Sequence, residues 1–530
     1  MRKFSSYGPV DKDLHYYVPR QALIDRACTR LVGEKPEKGG HYITVWAPRQ
    51  RGKTWMMQQV TGQIKAQGDF DVAILTLQSA KNMTTAQEVL SYLVRNLREW
   101  FGRDFPTVTT WAGLHDLFSA AYGSKPLILI LDEFDALGET FINAFANEFR
   151  DMYIRRINEA NKPNGEKGCL LHGLALIGVR SVLGIENVSG SPFNVQQSIH
   201  IPNLTFEEVE SMYHCYERES GQTVEQAVIE RVFYETQGQP GLVSWFGELL
   251  TETYNEDIAQ PITLTQFEQV YSLALNVLPN NNVLNVISKA KQEPYQEFVL
   301  EMFKTAAKIP FVYDDPYLNF LYLNGVIDWE QTSPTERYVK FPCPFVQKRL
   351  FNYFARTLFR HVGQLHPPFE DLSDTISEDS LNVKNLLHRY EGYLRKNRDW
   401  LLKDAPRRAD LRVYEAVYHF NLYMYLFKFL QQHDGQVWPE FPTGNGQADL
   451  LIRYAGKVYG IEIKTFSTRH EYRKALGQAA RYGHHLGLDE ITLALFIESV
   501  DDANRARYEA VYKDEDTDVT VTPVFVATGS

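Results

Sequence analysis

Tyr42 to Ile64 reads as a strand, a tight polar loop and a helix in immediate succession: Tyr42-Ile-Thr-Val-Trp46, then Ala47-Pro-Arg-Gln-Arg-Gly52-Lys53-Thr54, then a helical run from Trp55. Few folds admit that order. A loop closed by a glycine at the start of a helix turns several backbone N–H groups, and the positive end of the helix dipole, into one space, which is how a phosphate is cradled. The strand that carries such a loop needs parallel neighbours, and the chain supplies them. Val72-Ala-Ile-Leu-Thr-Leu77 and Leu127-Ile-Leu-Ile-Leu131 are near-continuous apolar runs, the pattern of strands covered on both faces by helices. A parallel α/β sheet is therefore predicted for the first part of the chain.

The polar residues at the strand ends fit that sheet. Lys53 is placed to reach β- and γ-phosphates, Thr54 to ligate Mg²⁺, and the backbone at Gly52 to wrap the β-phosphate. Arg49 lies inside the loop, where it meets phosphate or a partner carboxylate. Asp132 and Glu133 end the apolar run: Asp132 suits the Mg²⁺ shell, and Glu133 suits a base polarising the attacking water, because γ-phosphate hydrolysis is mostly positioning and charge stabilisation. Leu174-Ala-Leu-Ile-Gly-Val-Arg180-Ser181 reads as another core strand that brings Arg180 or Ser181 beside the γ-phosphate. Thr205 reads as the cap of a helix that opens a lid. Ala47 stands where the loop pattern asks for Gly, so the loop is expected to close differently, and a fold that binds nucleotide without hydrolysing it stays open as an alternative. With Gly238-Gln-Pro240 these motifs, in order from Tyr17 to about Leu250, resemble the STAND and origin-recognition-like branch of AAA-type P-loop ATPases. The resemblance implies ATP as ligand and Pro240 as part of its site. One of Arg150, Arg155 and Arg156 is a candidate finger across the subunit boundary of a homo-oligomer, the alternative for each being a solvated basic helix face.

A second constellation lies between Gly446 and Tyr482. Gly-Gln-Ala-Asp449 precedes a strand pattern, Ala455-Gly456 reads as a tight turn, and Lys457-Val-Tyr-Gly-Ile-Glu462-Ile-Lys464 reads as the returning strand. Side chains repeat every two residues along a strand, so Glu462 and Lys464 share a face. Two carboxylates on strands joined by a tight turn converge on one hard cation, Mg²⁺ or Mn²⁺. On the following helix Lys474, Gln478, Arg481 and His485 recur at three- and four-residue spacing. The bland alternative makes Glu462 and Lys464 an exposed ion pair on an edge strand and Asp449 a turn residue.

This region resembles the PD-(D/E)XK nuclease superfamily, with Asp449 as the first acid, Glu462-Ile-Lys464 as the E-x-K element and Gln478 with Tyr482 as the helical element. The proline of the motif name is missing. The resemblance assigns metal to Asp449, Glu462 and Glu415, an acid on a helix ahead of the sheet, and catalysis to Asp449, Glu462, Lys464 and Gln478. The aromatic helix from Tyr414 to Phe429 is apolar around too much of its circumference for a base-stacking platform and reads as core.

Length and charge bound the rest. At 530 residues the chain exceeds one core. Its net charge of −11 opposes nonspecific duplex binding, but basic clusters at Arg395 to Arg398, Lys403, Arg407-Arg408 and Arg469 to Arg481 fall in the nuclease-like region. Four scattered cysteines lack metal-ligand spacing, and neither an export signal nor an apolar stretch of about 18 residues is present, so a cytoplasmic protein without a membrane partner is expected. The fold class expected is multidomain α/β: a P-loop ATPase core at 1–205, a helical lid at 206–284, a region resembling a winged helix at 285–362, a Pro-rich then acidic linker at 363–380, and a smaller restriction-endonuclease-like α/β domain at 381–530. Together the resemblances imply a nucleotide-regulated, metal-dependent DNA endonuclease, with defence against foreign DNA suggested by the domain combination. Two readings compete with it: an ATP-dependent scaffold that binds nucleic acid without cutting it, and an RNA-directed nuclease.

Overall fold

The computed structural model describes residues 1–8, 10–163, 166–178, 196–255, 257–303, 308–403, 405, 415–441, 449–465 and 468–529. The chain divides into two compact units, Met1–Leu273 with Val312–Gly325, and Ala274–Phe311 with Val326–Ser530.

In the first unit the elements run α1 (Gln21–Val32), β1 (Tyr42–Trp46), α2 (Lys53–Gln67), β2 (Asp71–Thr76), α3 (Ala86–Phe101), β3 (Leu127–Asp132), α4 (Glu139–Asn158), β4 (Leu171–Gly178) and β5 (Gln196–His200), then α5 (Phe206–Ser220), α6 (Gln226–Thr236), α7 (Pro240–Glu248) and α8 (Leu264–Asn276), which crosses into the second unit. The five strands form one sheet in the order β2-β3-β4-β1-β5, and every pairing is parallel. The apolar run predicted for β3 is fully buried from Leu127 to Leu131, each side chain contributing about 1.5–3 kcal/mol of apolar burial. One face of the sheet packs on α3 and α4, the other on α1 and α2.

Thr205 caps α5 as expected. Its Oγ1 accepts the Glu208 N–H at 3.3 Å, and the Glu208 carboxylate accepts the Thr205 N–H at 2.9 Å. Between α6 and α7 the chain reverses at Gly238, whose φ of +68° is open to glycine. A Cβ there would lie 2.0 Å from the Leu204 carbonyl oxygen. Gly238→Ala is expected to destabilise the first unit by about 2–4 kcal/mol, backbone strain and overlap combined, read as a lowered denaturant midpoint. Gly221→Ala, at φ +77° but facing open space, is expected to lose only the strain part, about 1–2 kcal/mol.

The second unit holds α9 (Asn281–Ala290) and α10 (Tyr295–Met302). The next helix, α11 (Pro316–Leu323), belongs to the first unit, where the Tyr313 and Tyr322 rings lie 6.3 and 6.1 Å from that of Trp46. Then come β6 (Asp328–Gln331), β7 (Arg337–Lys340), α12 (Pro344–Leu358), α13 (Val383–Leu401), α14 (Glu415–Gln431), β8 (Gln436–Glu440), β9 (Asp449–Tyr454), β10 (Lys457–Thr465), α15 (Arg469–His485), β11 (Glu490–Ile497), α16 (Asp502–Tyr508), β12 (Tyr512–Lys513) and β13 (Thr520–Ala527). β6 and β7 form a two-stranded antiparallel ribbon. The acidic stretch before α13 is tied to that helix by Arg389, which pairs with Glu370 and with Asp374.

Six strands make a mixed sheet ordered β12-β13-β11-β10-β9-β8, antiparallel from β8 to β10 and parallel from β10 through β11 to β13. The turn expected at Ala455 and Gly456 is a two-residue hairpin with φ of +49° and +74°, the sign pair that matches strand twist. Pro439 sits on β8, at the edge, where its missing N–H breaks no ladder. α14 packs on β8, and α15 covers β11 and β13. The aromatic helix is core: Phe420, Tyr423, Tyr425 and Phe429 are each at most 1% exposed.

Candidate functional sites

In the first unit the loop between β1 and α2 is built around two positive φ values, Gln50 at +57° and Gly52 at +83°. The Lys53 ammonium donates to the Ala47 and Pro48 carbonyls at 2.8 and 3.0 Å. It spans the loop as a crosspiece, so Ala47 sits buried beneath it and offers its carbonyl, not its side chain. Thr54 Oγ1 donates to Asp132 Oδ2 at 2.6 Å, joining the loop to the end of β3. Glu133 follows in the left-handed region at φ +54°, its N–H donating to Asp132 Oδ1 at 2.8 Å. That turn leaves Glu133 exposed while Asp132 is buried. Partial burial, then the charges of Asp132 and Asp135, raise the Glu133 pKa, a shift toward the range of a useful base.

These groups line a cavity of about 480 Å³ with Arg49 and Pro240, within the size range of small-molecule sites. The N-terminus of α7 meets the loop there, the Gly241 N–H donating to the Gln50 carbonyl at 3.2 Å. Arg180 lies outside the described residues. Arg156 cannot be a finger: it is 2% exposed and donates to the Cys169 carbonyl, with His172 Nδ1 2.7 Å away. The basic run on α4 looks solvated in sequence, but the helix turns this guanidinium into the sheet.

Burial pulls the Lys53 pKa down to about 8, with Arg49 and Arg51 adding to the fall and Asp135 and Asp132 opposing it. A phosphate binds the ammonium and not the amine. Nucleotide affinity is therefore expected to be flat below about pH 7 and to fall by up to about tenfold per unit above pH 8, as the free site must take up a proton to bind. Titration of a fluorescent nucleotide across that range checks this.

In the second unit Asp449 starts β9 and Glu462 lies on β10, 2% and 3% exposed. Ile461 pairs with Leu450, so the same register carried one residue on sets Glu462 opposite Asp449. The Ile463 N–H donates to Asp449 Oδ1 at 3.2 Å. Lys464 follows on the same face and its Nζ lies 3.0 Å from Glu462 Oε1. The other oxygen, Glu462 Oε2, is buried with no hydrogen-bond partner among the described residues. The edge-strand alternative fails, since β10 is an interior strand.

Burial, then the charge of Glu462, pushes the Asp449 carboxyl well above the usual range, with Lys464 and the Ile463 N–H opposing. Burial raises Glu462 too, against the pull of Lys464 and Arg481. Burial works against the Lys464 ammonium, yet Glu462 and Asp449 hold its pKa above the ordinary lysine range. The result is a cluster in which one half-buried cation faces two buried, mutually repelling acids.

On α15, Gln478 is half-buried, Tyr482 is buried, and Lys474, Arg481 and His485 are exposed. Of these, Arg481 is the one whose charge reaches Glu462. Only the backbone of Glu415 is described, at the start of α14. Two residues escape a reading by motif. Glu440, at the end of β8, pairs in register with Asp449. His419, one helical turn beyond Glu415, is 1% exposed, and neither ring nitrogen has a partner among the described residues. Burial, reinforced by Lys464, takes its pKa down to about 3, so the imidazole is neutral. Among the described residues no group of three or more His, Cys, Asp or Glu is arranged to hold a metal ion. None of the described helices is long and apolar enough to cross a membrane.

No protein-family model matches the sequence, and no curated protein matches it. Among solved structures the chain is similar to the Walker-type ATPase of Pyrococcus abyssi, at 13% identity and a TM-score of 0.44, over 66% of this chain and 99% of that one. It is also similar to the ORC1 protein of Aeropyrum pernix, solved in complex with DNA, at 15% identity and 0.33, over 64% and 94%. A third is the RuvB Holliday junction branch migration motor of Thermotoga maritima, at 12% identity and 0.33, over 61% and 92%. The first unit has the parallel-sheet α/β fold of P-loop ATPases by its own strand order, loop and acidic strand end, and the second unit adds a mixed sheet.

Proposed function

We propose that the chain is a nucleotide-regulated, metal-dependent DNA endonuclease, with an ATP-binding and ATP-hydrolysing switch in the first unit and phosphodiester cleavage in the second. The observation that carries the second part is the Glu462 oxygen beside Asp449 that has no partner among the described residues. A buried carboxylate oxygen without a partner costs about 1–3 kcal/mol or more, and a hard cation bound through one or two carboxylates plus water is the ligand that satisfies it. The donor set fits Mg²⁺ or Mn²⁺: oxygen only, anionic, buried, and flanked by one lysine.

When bound, such an ion lowers the pKa of a coordinated water and takes up charge on the attacked phosphate. The chain's own groups do the rest. Asp449 and Glu462 would hold the ion, Glu415 being a candidate third ligand by resemblance. Lys464, charged at neutral pH, orients the attacking water and answers charge developing on the phosphate. Gln478 and Arg481 present polar and basic groups from α15 to the incoming backbone. The exposed cations Arg395 and Lys396, with Trp400 47% exposed beside them, supply a further basic surface in this unit.

In the first unit the loop N–H groups and Lys53 hold the phosphates of ATP, with Arg49 and Pro240 at the cavity wall. Thr54 and Asp132, already joined at 2.6 Å, would hold its Mg²⁺, and Glu133 orients the attacking water. Arg180 remains a candidate partner for the γ-phosphate. The test is cleavage of labelled single- and double-stranded DNA and RNA by the full chain, with Mg²⁺ or Mn²⁺ and with or without ATP. Metal-dependent cutting of DNA that responds to ATP is expected. Binding without cutting under every condition favours the scaffold reading, and cutting of RNA alone favours the RNA-directed one.

A further inference from the structure

The acidic pair has a third neighbour. Glu440 stands directly across β8 and β9 from Asp449, and opposed residues of an antiparallel pair lie on one face with Cβ atoms about 4.5–5.5 Å apart. Glu440, Asp449 and Glu462 thus lie side by side on three adjacent strands, 8%, 2% and 3% exposed. Three buried carboxylates so placed repel one another strongly. Lys464 answers Glu462. The second counter-charge comes from outside the sheet: Lys348 of α12, fully buried, lies 2.8 Å from Glu440 Oε1. A lysine ammonium wholly removed from water is rare unless it is paired. Nothing in the helical periodicity of α12 marks it as anything but a surface cation.

In this arrangement Glu440 is engaged by Lys348, and among the described residues Glu462 Oε2 is without a partner and no three acids grip a common point. We propose that Glu440 is the third carboxylate of the divalent-cation site and Lys348 its resident counter-charge, so that ion entry draws Glu440 from Lys348 toward Asp449 and Glu462. The proposal rests on the nuclease reading of Asp449 and Glu462 and extends it to α12, which lies ahead of the linker and of the segment carrying the rest of the motif. Loading the ion then loosens a buried tie between α12 and the sheet.

The experiment is Mn²⁺ binding to the full-length chain, by calorimetry and by the Mn²⁺-induced shift in thermal unfolding, for wild type, Glu440→Gln, Lys348→Met, the double variant and Asp449→Asn. Glu440→Gln is expected to weaken Mn²⁺ binding at least about tenfold. Lys348→Met removes the buried cation beside Glu440, so its metal-free midpoint is expected to fall and its Mn²⁺-induced shift to exceed that of wild type. The double variant, which removes both charges, guards against a Lys348→Met chain that does not fold; it is expected to fold without metal and to show the weakened binding of Glu440→Gln. Wild-type Mn²⁺ affinity in Glu440→Gln, or in the double variant, overturns the proposal. Loss of binding in Asp449→Asn together with unchanged binding in Glu440→Gln overturns this inference alone, and absence of Mn²⁺ binding by wild type overturns the nuclease reading with it.

Discussion

Asp449→Asn is expected to abolish metal-dependent cleavage, by on the order of 10³-fold or more, the scale on which removing one member of a catalytic constellation acts, and at the same time to raise the stability of the metal-free protein. The two effects have one cause. Asp449 is 2% exposed, beside Glu462 and across from Glu440, so its charge strains the fold, and on the proposed function a bound cation relieves that strain. Asn keeps the shape and can still accept the Ile463 N–H. Relief of like-charge repulsion is expected to raise the unfolding midpoint in chelator by about 2–4 °C for each kcal/mol gained.

The same argument fixes a pH dependence. The folded-state pKa of Asp449 lies above the unfolded one, so the native form binds the proton more tightly. The stability this contributes is complete below the unfolded carboxylate value of about 4 and is lost as pH rises through the folded pKa. Metal-free wild type is therefore expected to lose stability with rising pH over that window, and Asp449→Asn to show a flatter profile. A variant that still cuts, or one that melts lower than wild type in chelator, contradicts this account of the cluster.

Lys53→Ala is expected to lower ATP affinity by about 10- to 100-fold, the loss of a charge-assisted contact to phosphate, and to remove the pH dependence of binding above 8. Its ammonium also braces the loop through the Ala47 and Pro48 carbonyls, so an empty loop without it has no crosspiece. Because the acidic cluster lies in the other unit, cleavage with metal alone is expected to persist while its response to ATP disappears. Nucleotide titration and cleavage assayed over a range of ATP concentrations separate the two. Equal ATP responses in wild type and variant would remove the switch from the proposal.

Elements whose signal is local were legible in the sequence. The apolar run of β3 could only be a doubly covered strand, the Thr205 and Glu208 pair forms its capping box, and Ala455-Gly456 turns where it should. The spacing of Asp449, Glu462 and Lys464 brought them together because the hairpin between them is short, and short hairpins fix register. What escaped depends on contacts distant in sequence. Lys348 and Glu440 are ninety-two residues apart, and neither belongs to a motif. Arg156 reads as a solvated charge until the sheet beneath it is built. His419 reads as one polar residue in an aromatic helix, and only the fold shows that both its nitrogens are sealed from water. The helix at Pro316–Leu323 reads as part of the same small domain as β6 and β7, yet Trp46 in the first unit supplies its aromatic neighbours. Arg180 and the Glu415 side chain lie outside what the structure describes, so their roles stay as the sequence posed them.

The most direct measurement is anomalous diffraction from crystals of the protein soaked in Mn²⁺. The account requires a manganese peak bound by a carboxylate oxygen of Asp449 and by Glu462 Oε2, the oxygen without a partner among the described residues. Strong Mn²⁺ peaks elsewhere with none between these two acids, or Glu462 Oε2 found hydrogen-bonded to a protein group, would contradict it.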